Sequence, residues 1–458
     1  VTEHFDAIVI GTGQAGPPLA VRLAAAGRKT AIIERKHFGG TCVNNGCIPT
    51  KTLIASARAA WVARNADRFG VAVDGVRVDM TKVKARKDQV VAQSTNGVES
   101  WLRGTPNITV LEGQARFESA GIVGVGERHL AAPQIFINTG GRPLVPALEG
   151  LVDVDYLTSA SMMDVDFLPE HLIVIGGSYI GLEFAQMYRR FGSRVTVVEM
   201  APRLIAREDE AVSQTLREIL EAEGIEVRLN AQCIAAQKCR CGVAVQVSCE
   251  VEPRTIVGSH LLLAVGRAPN TEDLGLDRAG VLTDARGFIV VDEQLATNIP
   301  GIFALGDVNG RGAFTHTSYN DYEIVAANLL DREARRVSDR FPVYALFTDP
   351  PLARAGMTER EARASKRGIL VGRRPMARVG RARERGETQG FMQVLVDAKT
   401  QRILGATLLG IEADEAIHCI IDVMNAGAPY TAIRRAVHIH PTVAELIPTV
   451  LGELAPLR

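Results

Sequence analysis

Neither sign of charge dominates this chain: Lys and Arg together number 52, and so do Asp and Glu. The basic footprint of a nucleic-acid binder is missing. Long apolar runs are missing too, since none reaches the roughly 18 residues of a membrane span. The first expected strand starts within a few residues of Val1, too early for a leader segment, so a cytoplasmic location is expected. Cysteine is scarce, at seven in 458 residues. In the cytoplasm an oxidised pair is catalytic more often than structural. At this length about three domains with ample core are expected.

Two of the cysteines stand in the run Gly39-Gly40-Thr41-Cys42-Val43-Asn44-Asn45-Gly46-Cys47-Ile48-Pro49-Thr50-Lys51. Five helical steps would leave them roughly 140° apart around an axis and about 7.5 Å apart along it. A disulfide needs Cα atoms within about 4.4–6.8 Å. The pair therefore closes only if the backbone leaves helical geometry, which Gly46 and Pro49 make easy. So short a loop gains little stability from closure and is readily reduced. It reads as a redox tool and not as a staple. Cys239, Cys241 and Cys249 form a second cluster, with Cys233 and Cys419 isolated. The cluster lacks the paired spacing of a zinc site, and residues 241–249 alternate like a strand with a turn. No metal site is expected.

The surroundings of the pair are informative. An expected strand over residues 5–10 leads into Gly11-Thr12-Gly13-Gln14-Ala15-Gly16, then a helix to about residue 26, then a strand over 29–33 ending in Glu34. Such glycines let a turn close and bring backbone amides to a pyrophosphate, and an acid about 20 residues on holds a ribose hydroxyl. Pro17 and Pro18 are tolerable in a first helical turn but leave fewer donors for phosphate. The unit recurs at residues 171–199, through Gly176-Gly177-Ser178-Tyr179-Ile180-Gly181 to Glu199, with 23 positions from first glycine to acid in both copies. Two units imply two nucleotides. Ser178 replaces the middle glycine and is small enough for a pyrophosphate to approach. Glu199 favours a free ribose 2′-hydroxyl and so NADH; Arg203, four positions on, keeps NADPH possible.

In this order the motifs resemble the class I pyridine nucleotide–disulfide oxidoreductases, a family that includes dihydrolipoamide dehydrogenase, glutathione reductase and mercuric reductase. The resemblance runs from Phe5 to Glu445. It implies an α/β fold of two Rossmann-like dinucleotide-binding domains plus a C-terminal α+β dimerisation domain. The expected boundaries are 1–148 and 265–340 for FAD, 149–264 for NAD(P) and 341–458 for dimerisation. In the last part strands are expected at 345–347, 391–396 and 403–409, and helices at 412–426, 431–436 and 442–453.

The resemblance also implies roles. FAD is expected on Gly11, Gly13, Gly16 and Glu34, with Gly40, Thr41 and Ala115 beside them. The runs at 137–143 and 263–270 resemble the crossings between the two nucleotide domains, which brings in Thr139, Gly140, Gly266 and Arg267. Residues 297–307 resemble the second flavin motif, with Gly306 and Asp307 at the ribityl chain. A helix beginning near Thr315 aims its positive end at the flavin pyrimidine. The nicotinamide nucleotide falls to Gly176, Ser178, Ile180, Gly181, Glu199 and Gly266. Tyr179 resembles the aromatic gate over the flavin, though it also reads as plain helix packing. Lys51 and Glu183 pair beside flavin N5, where a cation stabilises negative charge. Cys47 would face the flavin and Cys42 the substrate. His440, supplied across a homodimer and held by Glu445, would move the proton; His438 is ambiguous.

The implied function is an FAD-dependent oxidoreductase. It carries electrons from NAD(P)H to the Cys42–Cys47 disulfide and on to a small disulfide or thiol-reactive substrate. One rival is mercuric ion reduction, which Val43-Asn44, Ser178 and residues 314–322 echo; the last stretch also resembles bacterial reactive-chlorine-response flavin reductases. Mercury handling needs a second cysteine pair near the C-terminus, and no cysteine follows Cys419, so poor mercury turnover is expected. Further rivals are a dihydrolipoamide dehydrogenase-type subunit of a 2-oxo acid complex and a redox-sensing flavoprotein.

Overall fold

The computed structural model describes residues 1–240, 242–248 and 253–457, so Cys241 and Cys249 lie outside the described residues. Ala7–Ile10 is a strand with every residue buried, as four consecutive apolar side chains demand when both faces of a parallel sheet are covered. It is the middle of five parallel strands, ordered Ile302–Ala304, Gln134–Ile137, Ala7–Ile10, Thr30–Glu34 and Ile108–Glu112. The helix Gly16–Ala25 follows and buries Leu19, Ala20 and Leu23. Its two prolines sit in the first turn, where amides have no intrahelical partner.

The internal echo is a second parallel sheet of the same design. Its order is Tyr156–Thr158, His260–Leu263, His171–Ile175, Arg194–Val198 and Glu226–Arg228. Gly141–Pro143 pairs antiparallel with Arg267–Pro269 and joins the segments that cross between the sheets. The C-terminal part is a six-stranded antiparallel sheet, ordered Val343–Leu346, Leu352–Gly356, Ile403–Leu409, Phe391–Asp397, Ile369–Pro375 and Ala455–Pro456.

Several local expectations are corrected. Residues 412–426 are not one helix. Glu412 lies in the left-handed region (φ 55°), and the run divides into Ala413–Ala416 and His418–Asn425. The helix expected from 442 begins instead at Ile447, because Pro448 is accepted only in a first turn; a 3-10 turn at Ala444–Leu446 precedes it. The strands Leu352–Gly356 and Ile369–Pro375 had no clear signal in the sequence. Nor had the helix Met80–Gly104, which buries only Met80, Lys87 and Leu102 and therefore shows little apolar periodicity. Among the described residues no helix is long and apolar enough to cross a membrane.

Candidate active site

The two cysteines come from two helices. Gly40–Asn44 ends, the chain turns at Asn45 and Gly46, and Cys47–Arg64 begins. Gly46 makes the bend: a Cβ there would lie 2.8 Å from the Thr41 carbonyl oxygen. Pro49 belongs to the first turn of the second helix, where its missing N–H costs nothing. The thiols of Cys42 and Cys47 hydrogen-bond to each other, and Cys47 Sγ is 3.2 Å from Thr315 Oγ1. The Cys42 hydrogen bond, then the Thr315 hydroxyl and the Lys51 charge, bring the Cys47 thiol down to about 6 against the opposing effect of burial. Cys42 is pushed far up by the same hydrogen bond and by burial. The opposite directions of the two shifts favour the thiolate on Cys47 over Cys42.

One turn further along, Lys51 Nζ lies 3.0 and 2.9 Å from the two carboxylate oxygens of Glu183. Glu183 is buried on the helix Tyr179–Phe191, which packs against Cys47–Arg64. The Phe347 N–H also donates to Glu183, at 3.0 Å, and the Lys51 ammonium sits 4.5 Å from the Phe347 ring centroid. A buried carboxylate holds its charge only with such partners. The lysine is therefore fixed in direction, one turn from Cys47.

A cavity of about 1180 Å³ connects these groups. Gly11, Gly13, Glu34, Gly40, Thr41 and Ala115 line it, as do Thr139, Gly140, Arg267, Asp307 and Thr315, together with Cys42, Cys47, Lys51, Tyr179, Ile180 and Glu183. The loop is built for close approach. A Cβ on Gly11 would meet the Asn138 carbonyl at 2.4 Å, and one on Gly40 would meet Gly13 Cα at 2.9 Å. Glu34 accepts from Thr12 N at 3.1 Å and Thr12 Oγ1 at 2.5 Å and lines the cavity. Burial pushes the Asp307 carboxyl up although Arg267 opposes it from 3.5 Å, and Asp307 lines the cavity. These residues fit a bound dinucleotide.

Other expected residues lie behind the surface or off the cavity. Gly16 packs on Gly11, and Gly306 packs on Ser318 and Asn138, so both set the loop and do not line it. Gly176, Ser178, Gly181, Gly266 and Glu199 belong to the second sheet's rim. There Glu199 accepts from Gly177 N at 2.6 Å and Ala201 N at 2.8 Å, repeating the Glu34 arrangement. The Ser178 hydroxyl caps nothing in the helix that follows. Arg203 donates to the Ala206 carbonyl. His440 is far more open: its ring is 79% exposed, with Nδ1 at 2.9 Å from Glu445. It is not in the cavity wall of its own chain. His438 bonds the Ala436 carbonyl.

Sequence reasoning missed Asn138. Its amide donates to Leu305 O at 2.8 Å and accepts from Gly16 N at 3.0 Å, tying the two flavin-type segments together. Its place in the run before Thr139-Gly140 was the available signal. Glu208, Tyr344 and Arg354, beside Tyr179, belong to no motif and were missed outright.

This geometry combines two dinucleotide-type sheets with a pair of cysteines lining one large cavity. The sequence model of the pyridine nucleotide-disulphide oxidoreductases matches residues 5–321, and that family's dimerisation domain matches residues 343–451. The chain belongs to this family. It is 38% identical to the probable pyridine nucleotide-disulfide oxidoreductase RclA of Escherichia coli, covering 97% of this chain and 98% of that one. It is 35% identical to a dihydrolipoyl dehydrogenase of Thermus scotoductus, covering 97% and 96%. A solved Cu(II) complex of the HOCl-induced flavoprotein disulfide reductase RclA from Escherichia coli superposes with a TM-score of 0.89 at 37% identity, covering 98% and 99%. The protein is accordingly an FAD-dependent oxidoreductase that works with a pyridine nucleotide.

Proposed function

We propose that Cys42 and Cys47 are the redox couple of a disulfide reductase acting on a small disulfide or a thiol-reactive substrate. The two cysteines facing one cavity, with Cys47 Sγ 3.2 Å from Thr315 Oγ1 and its thiol lowered by its neighbours, carry this reading. FAD, when bound, supplies the two-electron relay between the pyridine nucleotide and the disulfide. Lys51 presents a cation at the reacting end of the cavity, and Glu183 and the Phe347 N–H hold it there. Two electrons and one proton convert the Cys42–Cys47 bond into the Cys42 thiol and Cys47 thiolate. Cys42 then attacks a substrate disulfide, and the mixed disulfide resolves onto Cys47 with release of two thiols. His440 of the partner subunit, oriented by Glu445, moves the proton. Tyr179 covers the nicotinamide end of the cavity until the nucleotide arrives.

We assign residues 1–148 and 265–340 to FAD, 149–264 to the nicotinamide nucleotide and 341–458 to a homodimer interface. The family's dimerisation domain and the exposed Val437 and Ile439 around His440 support the dimer. The protein acts in the cytoplasm on small molecules, without nucleic acid or membrane. The test is steady-state turnover with NADH against a panel of disulfides, Hg²⁺ and Cu²⁺. Sustained turnover lost in Cys42→Ser supports the reading; turnover indifferent to that change sinks it. Copper belongs in the panel because the RclA relative was solved as a Cu(II) complex.

Two expected results test the nucleotide assignments. Asp307→Ala should weaken FAD binding about 10- to 100-fold in equilibrium dialysis, the worth of one hydrogen bond to a charged group. An unchanged constant would remove Asp307 from the site. NADH should exceed NADPH about 10- to 100-fold in kcat/KM, because both Glu199 oxygens are fixed by backbone amides and face a 2′-phosphate with like charge. Equal use of the two would show that Arg203 compensates.

A further inference from the structure

Glu208 is 0% exposed, yet three side chains from two parts of the chain meet its carboxylate. Arg354, 1% exposed, donates to Oε2 from Nε at 3.1 Å and again from Nη2, and its Nη2 also reaches Asp209 at 3.3 Å. Tyr344 donates its hydroxyl to Oε1 at 2.6 Å. Tyr344 and Arg354 are direct partners across the antiparallel pair Val343–Leu346 and Leu352–Gly356, so the sheet register sends both side chains to the same face. The Tyr179 hydroxyl reaches the same Oε1, but at 3.4 Å. Burial and the Glu208 charge push both phenols up, so both remain donors.

The rings are ordered around this contact. Tyr179 meets Tyr344 edge-on at 5.7 Å and Phe314 edge-on at 6.2 Å, while Phe314 and Tyr344 stack at 5.5 Å and 10°. Tyr179, Phe314, Tyr344 and Arg354 all line the large cavity. The asymmetry of the two hydroxyl contacts is the informative point. If Tyr179 swings out, Glu208 keeps Arg354 and Tyr344, so no buried charge is stranded. The movement costs one long hydrogen bond and some ring contact.

We propose that Glu208, held by Arg354 and Tyr344, is a positioning residue that latches Tyr179 closed and thereby sets access of the pyridine nucleotide. This rests on the reading of Tyr179 as the gate. The latch is weak because Tyr344 occupies the better position on the shared oxygen. Removing the Tyr179 hydroxyl frees the gate. Removing the Tyr344 hydroxyl leaves Oε1 to Tyr179 alone and tightens the latch. The two phenols therefore act with opposite sign on one equilibrium, which shared packing would not produce.

The experiment titrates NAD⁺ into FAD-loaded protein by calorimetry and measures iodide quenching of flavin fluorescence. Apparent affinity scales with the open fraction. Tyr179→Phe should bind NAD⁺ about 2- to 10-fold tighter and expose the flavin more to iodide, as the loss of one hydrogen bond predicts. Tyr344→Phe should bind NAD⁺ more weakly by a similar factor and protect the flavin. Tyr179→Ala is the control for the gate itself and should tighten binding and raise quenching. If Tyr179→Ala changes neither readout, the gate reading fails. If it changes both, any pattern other than opposite shifts in the two Phe variants overturns the latch and leaves the gate standing. Glu208→Gln is avoided, since it strips a buried arginine of its main counter-charge.

Discussion

Reduced by two electrons, the protein should show a long-wavelength charge-transfer band that disappears as pH falls through about 6, where the Cys47 thiol protonates. The sign follows from the direction of the shift. Cys47 is brought below the ordinary thiol range, so the thiolate is present above that value and lost below it. Cys42→Ser should show the band without any reductant, because Cys47 is then a free thiolate; Cys47→Ser should lack it at every pH. Both changes should lower disulfide turnover by at least about 10³-fold, since the couple acts as a unit. Lys51→Met should move the loss of the band to higher pH, as one of the charges favouring the thiolate is removed. A band in Cys47→Ser would mean that the roles of the two cysteines are exchanged.

The charge assignment within the pair was legible only in part. Resemblance named Cys47 as the inner thiolate, but no pattern announced Thr315, 268 positions away, as its neighbour. The glycine turns were legible because each is local: a few consecutive residues decide whether backbone can approach a phosphate. Lys51 and Glu183 could be paired only through the resemblance, since they are separated by 132 positions and each alone is an ordinary charge. The Glu208 cluster lies beyond both routes. Tyr344 and Arg354 come from adjacent C-terminal strands and Glu208 from the turn before the helix Glu210–Ala222, so only the packing of one part on another brings them together. The helix Met80–Gly104 escaped notice for a simpler reason. A helix with few buried positions has little periodic pattern to read.

Mixing two inactive variants should restore activity. His440→Ala is expected to lower disulfide turnover by about 10²- to 10⁴-fold, the usual worth of a positioned proton carrier. On the proposed arrangement the loss is felt in the other subunit. The His440 ring is 79% exposed and fixed by Glu445, while the cysteines open into a cavity whose wall does not include it. Val437 and Ile439, 100% and 81% exposed, precede it in the chain, and apolar side chains so exposed are suited to burial against a second copy. In a heterodimer of Cys42→Ser and His440→Ala, one site joins an intact cysteine pair to an intact histidine, and the other has neither Cys42 nor His440. Random reassortment of equal amounts gives about half heterodimers, each with one of two sites working, so about a quarter of wild-type activity should return. A verified heterodimer that stays inactive would place His440 in its own chain's reaction or outside the reaction altogether. Restoration close to that fraction would establish the two-fold arrangement and the histidine's role in one measurement.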